Sequence, residues 1–456
     1  MLLGALTVSC GSSVREDDNT IEVWHGFTAE ETEVFREIVD EFEKDYTART
    51  GEKLNIKLTY VSFGDMFTKL KTAALGKLTP DVAFVDSIKV TDLAFGQALV
   101  KVNELEGFKA KYGSLEEGRE KFVRASYNAG VVNRLGEVDL YAMPVQTTTV
   151  ALFWNRSMFR AKADALREAG LDPNRPPRDW AELEEYGTIL TDEEEGVYGF
   201  GMSGSLWFNF PIYNMYDVEW VEYDETGMAQ PAINSPNAAA ALERISKIVH
   251  SGYEGGAWKR SALAPDAGFI NNKYAMILTG PWMVESFSNA ELDFDIGLIP
   301  RPTDEEIESL NLEPSEPRLV AEYGKMAYTS SNVGGQSGVI MRTCENREGA
   351  FEFIDYFISE PVQRGWASRL GQIPVRMSAW EDLDTSKFPF MTKFMDQLQF
   401  AKRIPPIPMF SILESNIYTP ENDLFLQKPQ DPRPMLENIE QGMEAKILQR
   451  INEAIE

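Results

Sequence analysis

Apolar and polar positions along the chain switch repeatedly between strand-like and helix-like spacing. An apolar run at residues 20–24 precedes a stretch, ending near residue 46, in which apolar residues recur every three or four positions. Residues 54–61 then alternate apolar with polar, residues 65–75 have helical spacing, and a short apolar run follows Pro80. This β-α-β-α-β order predicts a parallel sheet with helices packed on its faces.

The boundaries of the first helix are marked by capping residues. Thr28 followed by Glu31 predicts a capping box, in which the two side chains satisfy free backbone N–H groups at the helix start. Gly51 follows the last apolar position of the pattern and predicts the helix end. The loops that follow parallel strands lie at one edge of the sheet, and open α/β sheets bind ligands at that edge.

A second informative stretch is FINNKYAMILTGPW, residues 269–282. It predicts a strand, a sharp turn at Gly280, and a helix that begins at Pro281. Trp282 then lies in a first helical turn, beside backbone N–H groups that are free to bind a ligand. The alternative is a core tryptophan, since tryptophan is highly buried on average.

Composition narrows the possible partners. Asp and Glu total 72 against 44 Lys and Arg in 456 residues, a formal net charge of −28. This acidity argues against nucleic acid or an anionic membrane surface as a partner, because both require a basic face. With two cysteines and two histidines we expect no disulfide framework, no metal site and no cofactor. The length allows two or three domains.

The N-terminal sequence MLLGALTVSC is apolar, ends in small residues and stops at Cys10, before the polar segment GSSVREDDNT. It resembles the lipobox of bacterial lipoproteins, which implies a lipid anchor at Cys10. Thr7 stands where that pattern prefers leucine, and no Lys or Arg precedes the apolar run. The alternative is an ordinary apolar tail with a free thiol. Cys344 is expected to be a buried or idle thiol.

Four segments together resemble one known family, the extracellular solute-binding proteins of ABC sugar importers, the group that includes maltose-binding protein. They occur in the family's order and are FINNKYAMILTGPW, LYAMPVQTTTVALFWN, GQIPVRMSAW and IPPIPMFSIL. The resemblance covers nearly the whole chain after Gly11.

The resemblance implies an α/β fold of two lobes, the type II periplasmic-binding-protein fold. Each lobe is expected to contain a mostly parallel sheet flanked by helices, and the chain to cross the hinge three times. The expected division is 1–19 as signal remnant and linker, 20–143 plus 301–384 as the first lobe, and 144–300 plus 385–456 as the second. We expect a monomer.

The resemblance also implies which residues touch a ligand. The first lobe is expected to contribute its loops after the strands, and the hinge and second lobe are expected to contribute polar groups and flat aromatic rings. Asp86 can accept two hydroxyl hydrogen bonds at once, and it can equally be a helix N-cap. The expected ligand-binding residues are His25, Phe63, Asp86, Gln146, Thr148, Trp207, Trp282, Gly335, Arg376 and Phe410.

The implied function is capture of a mono- or oligosaccharide by hinge closure, followed by delivery to membrane permease subunits. The implied location is the periplasm or extracytoplasmic face, with a membrane anchor. Arg376 is the one cation at the expected site, which favours a neutral sugar over a phosphate or carboxylate. A glycan-active enzyme would need two carboxylates across the cleft, and Asp86 is the one evident acid. A third alternative is a purely structural surface lipoprotein.

Overall fold

The computed structural model describes residues 19–134, 136–225, 228–256 and 262–453. Cys10 lies outside the described residues. The strands, numbered in chain order, are β1 Thr20–His25, β2 Asn55–Tyr60, β3 Val82–Asp86, β4 Val131–Arg134, β5 Glu137–Leu140, β6 Ala142–Thr149, β7 Ala151–Asn155, β8 Val221–Tyr223, β9 Ala229–Pro231, β10 Met276–Thr279, β11 Phe294–Gly297, β12 Ser331–Ile340 and β13 Ala401–Lys402.

The first lobe is built on a six-stranded sheet. Strands β2, β1 and β3 run parallel, while β12 pairs antiparallel with both β3 and β6. The short strand β13 extends the sheet by pairing parallel with β12. Eight helices of this lobe are Ala29–Thr50, Phe63–Gly76, Val90–Phe95, Glu106–Tyr112, Leu115–Arg119, Arg124–Ala129, Arg347–Phe357 and Glu360–Leu370.

The predicted capping box organises the start of the first helix, Ala29–Thr50. Thr28 accepts a hydrogen bond from the backbone N–H of Glu31, whose carboxylate in turn accepts from the backbone N–H of Thr28. The helix ends at Gly51, which adopts the left-handed conformation with φ of 76°. Both predicted signals are therefore confirmed, and Glu31 is held in place at the edge of the sheet.

The second lobe has a three-stranded sheet in the order β10-β7-β11, with both pairs antiparallel. The predicted mostly parallel sheet is wrong for this lobe. The chain enters along β7 and leaves along β11, so these two neighbours run in opposite directions. Helices of this lobe are Arg156–Ala161, Ala163–Glu168, Trp180–Leu190, Leu206–Met215, Pro236–Val249, Pro265–Ile270, Val284–Asn289, Asp304–Leu310, Val320–Tyr323, Met391–Leu398, Phe410–Ile412, Thr419–Phe425, Arg433–Met443 and Gln449–Asn452.

Each lobe has its own large hydrophobic core, and the chain alternates between the two cores. The first core contains buried residues between 21 and 145 and between 340 and 375, whereas the second contains residues between 150 and 312 and between 404 and 451. The chain therefore passes between the cores three times. Leu312 packs in the second core, although the predicted boundary at residue 300 assigns it to the first lobe.

A third apolar group, which we call the hinge cluster, joins the lobes. It combines Val123 and Ala125 with Phe153 of β7, and with Phe394 and Leu398 of one helix. These side chains are buried, so the lobes share a dry contact beside the crossing strands. Among the described residues, none of the helices is long and apolar enough to span a membrane.

Candidate functional site

A cavity of about 720 Å³ lies between the lobes. The first lobe contributes Thr28 and the loop 370–373, and the crossing strands contribute residues 146–148 and Gly335. The second lobe contributes the turn that contains Trp282, the start of the following helix, and residues 387–391. We call this cavity the cleft. Four of the ten predicted ligand residues line it: Gln146, Thr148, Trp282 and Gly335.

Trp282 presents an open aromatic face to the cleft. Its side chain is 47% exposed, so Trp282 is not a core tryptophan, which was the alternative considered from the sequence. Pro281 begins a short 3₁₀ turn, as expected, and the indole folds back over Gly280. A Cβ on Gly280 would lie 2.0 Å from the ring. The glycine is therefore required for the indole to take this position.

The polar wall of the cleft is organised by Glu31. Its Oε1 accepts hydrogen bonds from Nε2 of Gln146 and from Nε2 of Gln372, both at 3.0 Å. Its Oε2 accepts from the backbone N–H of Thr28 at 2.8 Å. Glu31 is 7% exposed, and these three donors compensate its buried charge. We call Glu31, Gln146, Gln336 and Gln372 the amide network.

The carboxylate fixes the direction of every amide in this network. A carboxylate only accepts, so Gln146 must point its NH₂ group at Glu31, and its carbonyl oxygen is left to accept from Nε2 of Gln336 at 2.8 Å. The carbonyl oxygen of Gln336 then has no partner, nor has the buried hydroxyl of Thr148, among the described residues. The network therefore leaves unused hydrogen-bonding capacity beside the cleft.

Two glycines of β12 allow close packing at the cleft floor. Gly335 has φ of +119°, and a Cβ there would lie 2.1 Å from the carbonyl oxygen of Gln146. Gly334 supports the ring of Trp207, whose nearest atom would lie 2.7 Å from an added Cβ. Trp207 is half-buried, its ring lies against Gly334, and it does not line the cleft.

His25 lies in the first core and not on the cleft surface. Its imidazole is 1% exposed and contacts the rings of Phe27, Phe35 and Tyr60 at centroid distances of 5.3 to 6.0 Å. Burial lowers the pKa of His25 to about 4, and the positive charge of Arg36 acts in the same direction. The folded protein therefore holds His25 neutral at pH 7, with no exposed surface for a ligand.

Asp86 is a helix N-cap, the alternative considered from the sequence. Its Oδ1 accepts from the backbone N–H of Ile88 at 3.2 Å, and burial raises the pKa of its carboxyl group. The side chain does not line the cleft. Phe63, at the start of the helix Phe63–Gly76, is 48% exposed and also lies outside the cavity lining.

Arg376 and Phe410 are held by packing interactions. The guanidinium of Arg376 donates to the Ile358 carbonyl and to the Tyr112 hydroxyl, and it stacks over the ring of Phe122 at 4.7 Å. Phe410 is 4% exposed in the second core, with its ring 6.0 Å from that of Phe210. Neither side chain lines the cleft, so the expected cation and the third stacking ring are absent from its lining.

Sequence reasoning missed several residues of the site. Glu31, Gln336 and Gln372 form the amide network, and Phe388 and Phe390 add aromatic surface near Trp282. Glu31 carried a sequence signal as part of the capping box, but a capping residue is normally interpreted as structural. The two glutamines lie 190 and 226 positions from Gln146, a separation that no local pattern can reveal.

The charges of the cleft are few. Among the described residues, Lys387 is the one cation and Glu285 the one carboxylate on its lining, with Glu31 just behind the wall. In the described part of the chain, no group of three or more His, Cys, Asp or Glu side chains is placed to hold a metal ion. Cys344 is buried in the first core.

Comparison with known proteins gives three related results. Residues 28–364 match the family model described as bacterial extracellular solute-binding protein. The chain is 22% identical over 403 residues to the sn-glycerol-3-phosphate-binding periplasmic protein of Brucella abortus (strain 2308), which covers 85% of this chain and 82% of that one. It is 20% identical over 431 residues to the maltooligosaccharide ABC transporter solute-binding lipoprotein of Streptococcus pneumoniae (strain ATCC BAA-255 / R6), covering 90% and 86%.

A solved structure has the same fold. The cyclic alpha-maltosyl-1,6-maltose binding protein from Arthrobacter globiformis superposes with a TM-score of 0.73 at 20% identity, over 94% of this chain and 99% of that one. The predicted two-lobed α/β fold is confirmed by this likeness.

Proposed function

Because the chain belongs to the bacterial extracellular solute-binding protein family, we propose that it captures a neutral mono- or oligosaccharide in the cleft for an ABC importer. The observation that carries this proposal is the pairing of an exposed indole, Trp282, with the amide network on the facing lobe. Sugars offer apolar C–H faces to aromatic rings and hydroxyl edges to amides and carboxylates.

The size and charge of the cleft support a neutral ligand. A cavity of about 720 Å³ falls within the range of small-molecule sites and can hold a short oligosaccharide. A phosphate group would call for several converging cations, whereas in the part of the chain that the structure describes Lys387 alone lines the cleft, and Arg376 is engaged elsewhere. We therefore favour a sugar over the glycerol phosphate named for the Brucella abortus relative.

Closure of the lobes is part of the proposal. The cleft is lined by both lobes, and its floor is formed by the crossing strands β6 and β12. A ligand held by Trp282 on one side and the amide network on the other gains its full contacts only when the lobes approach. The closed complex is the form that we propose binds the permease subunits.

The proposed location is the extracytoplasmic face of the membrane, with lipid on Cys10. The sequence at Cys10 supports this, as does the lipoprotein named among the relatives. Replacement of Cys10 by serine should release the protein into the soluble fraction, when expressed with an upstream signal sequence. Equal membrane retention of the Cys10→Ser variant would contradict lipid attachment at this residue.

Calorimetry and thermal shift against a panel of neutral sugars, with sn-glycerol 3-phosphate included, test the ligand class. A ligand that binds only the folded state must raise its melting temperature. We expect at least one neutral sugar to do so in the wild type and not in Trp282→Ala, and we expect no shift from the phosphate ester that depends on Trp282. A larger shift with the phosphate ester that is lost in Trp282→Ala would overturn the neutral-sugar assignment.

The alternative of a glycan-active enzyme is tested with the same samples. Hydrolysis requires two carboxyl groups on opposite sides of the bond, and Glu285 is the one carboxylate that the described residues place on the cleft lining. Chromatography of the sugar after long incubation should therefore recover it unchanged. Formation of shorter sugars, lost in a Glu285→Gln variant, would favour the enzyme.

A further inference from the structure

A second cavity between the lobes has a volume of about 670 Å³, and its lining is basic, whereas the chain as a whole is acidic. Five cationic side chains line it against two carboxylates, although Asp and Glu outnumber Lys and Arg in the sequence by 72 to 44. We call this cavity the basic crevice. Its cations are Arg119, Arg124, Arg318, Lys402 and Arg403, and its carboxylates are Glu120 and Glu316.

The basic crevice is separate from the proposed sugar cleft. The hinge cluster lies between them: Val123 and Leu398 line the crevice, whereas Ile373 and Phe394 line the cleft. Both lobes contribute walls to the crevice, and an ion pair between Arg318 and Glu120 at 3.1 Å bridges them. A ligand in the crevice would therefore contact both lobes without entering the cleft.

Four of the five cations already have carboxylate partners. Arg124 pairs with Glu120 at 2.7 Å, Arg318 with Glu316 at 2.9 Å, and Lys402 with Asp217 at 2.9 Å. Arg119 pairs with Glu116, a partner that is largely exposed at the surface. These pairs leave one cation of the crevice, Arg403, to be accounted for.

Arg403 lacks a carboxylate within ion-pair distance in the described ranges of the chain. Its Nη1 donates to the backbone carbonyls of Asn128 at 3.0 Å and Val131 at 2.7 Å, while its Nε and Nη2 groups make no hydrogen bond to described residues. Burial lowers the pKa of Arg403, Tyr223 and the Glu219 carboxylate act in the opposite direction, and the charge of Arg119 acts in the same direction as burial. Arginine nevertheless stays protonated, so a largely buried charge is left without an ion-paired carboxylate among the described residues, and Glu219 acts on it only from beyond ion-pair distance.

We propose that the basic crevice binds a small oxyanion, with Arg403 as its principal ligand and Arg119 as the second. A guanidinium presents its Nε–H and Nη2–H groups side by side, the geometry that pairs with two oxygens of a phosphate or carboxylate. The anion supplies the counterion that Arg403 lacks. Arg403 directly follows β13, where the chain crosses into the second core, and Arg119 belongs to the first lobe, so the bound anion ties this crossing segment to the first lobe.

Titration with inorganic phosphate, in low-salt buffer free of other polyvalent anions, tests this site by calorimetry and melting temperature. The wild-type protein should bind one phosphate and melt at a higher temperature in its presence. Arg403→Gln should weaken phosphate binding at least tenfold and abolish the thermal shift. Arg433→Gln is the matched control, because Arg433 is an exposed arginine paired with Asp431 and remote in sequence from the crevice.

Arg119→Gln provides an independent variant if Arg403→Gln fails to fold, since removal of Arg119 leaves the exposed Glu116 unpaired and takes one donor from Oδ1 of Asn128. It should also weaken phosphate binding. Sulfate should bind with similar strength if the site recognises a tetrahedral anion by charge and shape. Absence of phosphate binding by the wild type at millimolar concentration, or unchanged binding by the folded Arg403→Gln or Arg119→Gln variant, would overturn the proposal.

Discussion

Nε2 of Gln146, on the first crossing strand, donates to Oε1 of Glu31 at 3.0 Å, although 115 residues separate them. Glu31 is fixed by the capping box of the first helix, so the helix start determines which way the Gln146 amide points. The orientation of the polar groups on the cleft wall thus depends on a helix cap in the first lobe and on the strand by which the chain leaves that lobe.

This relationship predicts the effect of Glu31→Gln. The substitution removes a charged acceptor from two glutamine amides and from the backbone N–H of Thr28, and frees the amides to rotate. Sugar affinity should fall about tenfold or more, since hydrogen bonds to charged groups contribute roughly 1.5–3 kcal/mol. Calorimetry with whichever sugar the panel identifies gives the measurement.

The matched control for Glu31→Gln is Glu117→Gln, because Ser114 and Glu117 form a second capping box away from the cleft. Both variants keep the cap, because a glutamine side chain can also accept from the N-cap N–H, so both should lose a similar, small amount of stability. Only Glu31→Gln should lose affinity. If the two variants bind sugar equally well, Glu31 has no role in the site beyond its cap.

Trp282→Ala should weaken sugar binding by tenfold to several hundredfold, because stacking and the buried ring area are lost together, at about 1.4 kcal/mol per factor of ten. Its melting temperature should change little, since the indole is 47% exposed. The contrasting variant is Trp220→Ala in the second core, which should lower stability by roughly 3–5 kcal/mol. A Trp282→Ala protein with reduced stability and unchanged affinity would place the indole outside the site.

Gly335→Ala should destabilise the protein strongly. Gly335 has φ of +119°, and an added Cβ would lie 2.1 Å from the Gln146 carbonyl oxygen. Gly170→Ala separates the two causes, because Gly170 also has positive φ but no atom within 4 Å of an added Cβ. Urea denaturation should show a loss of about 1–3 kcal/mol for Gly170→Ala, and a larger one for Gly335→Ala. If the two variants lose equal stability, the backbone near Gln146 moves away from the added Cβ without a cost in free energy.

His25 predicts a pH dependence of stability. Its pKa is about 4 in the folded protein against 6.5 as the ordinary value, so the unfolded chain binds a proton that the folded chain does not between these pH values. The stabilisation is complete above pH 6.5 and is lost as the pH falls toward 4. The difference amounts to about 3 kcal/mol at about 1.36 kcal/mol per pH unit.

Urea denaturation at pH 7 and pH 4.5, on wild type and His25→Phe, isolates this contribution from that of the carboxyl groups. Phenylalanine keeps an aromatic ring among Phe27, Phe35 and Tyr60 but does not titrate. The wild type should lose more stability than the variant between the two pH values. Identical losses would mean that His25 is protonated in the folded protein as readily as in the unfolded chain.

The fold was predictable because its helix caps and turns depend on neighbouring residues, and because its motifs follow one another in a recognisable order along the chain. The capping box at Thr28, the helix end at Gly51 and the turn at Gly280 each depend on a few neighbouring residues. The order of the motifs along the chain indicated two lobes. Strand direction in the second lobe was not predictable, because the pairing of β7 with β10 and β11 joins segments more than a hundred residues apart.

The site was predictable only in part, because burial is decided by distant residues. His25 follows a strand, as a ligand residue can, but Phe35 and Tyr60 close over its ring. Phe410 has the expected place in its motif, but Phe210 packs against it in the second core. Trp282 differs because Gly280 and Pro281 hold it at the surface, and these neighbours are visible in the sequence.

Native mass spectrometry of the gently purified protein tests most directly the claim that the cleft binds a neutral carbohydrate. The account predicts a copurified neutral sugar, identified by mass after denaturation, that is absent from Trp282→Ala prepared in parallel. Trp282→Ala should remain folded by its melting temperature, so the loss reports on the cleft. A phosphorylated or otherwise anionic ligand that is lost in Trp282→Ala, or a sugar retained fully by that variant, would contradict the account.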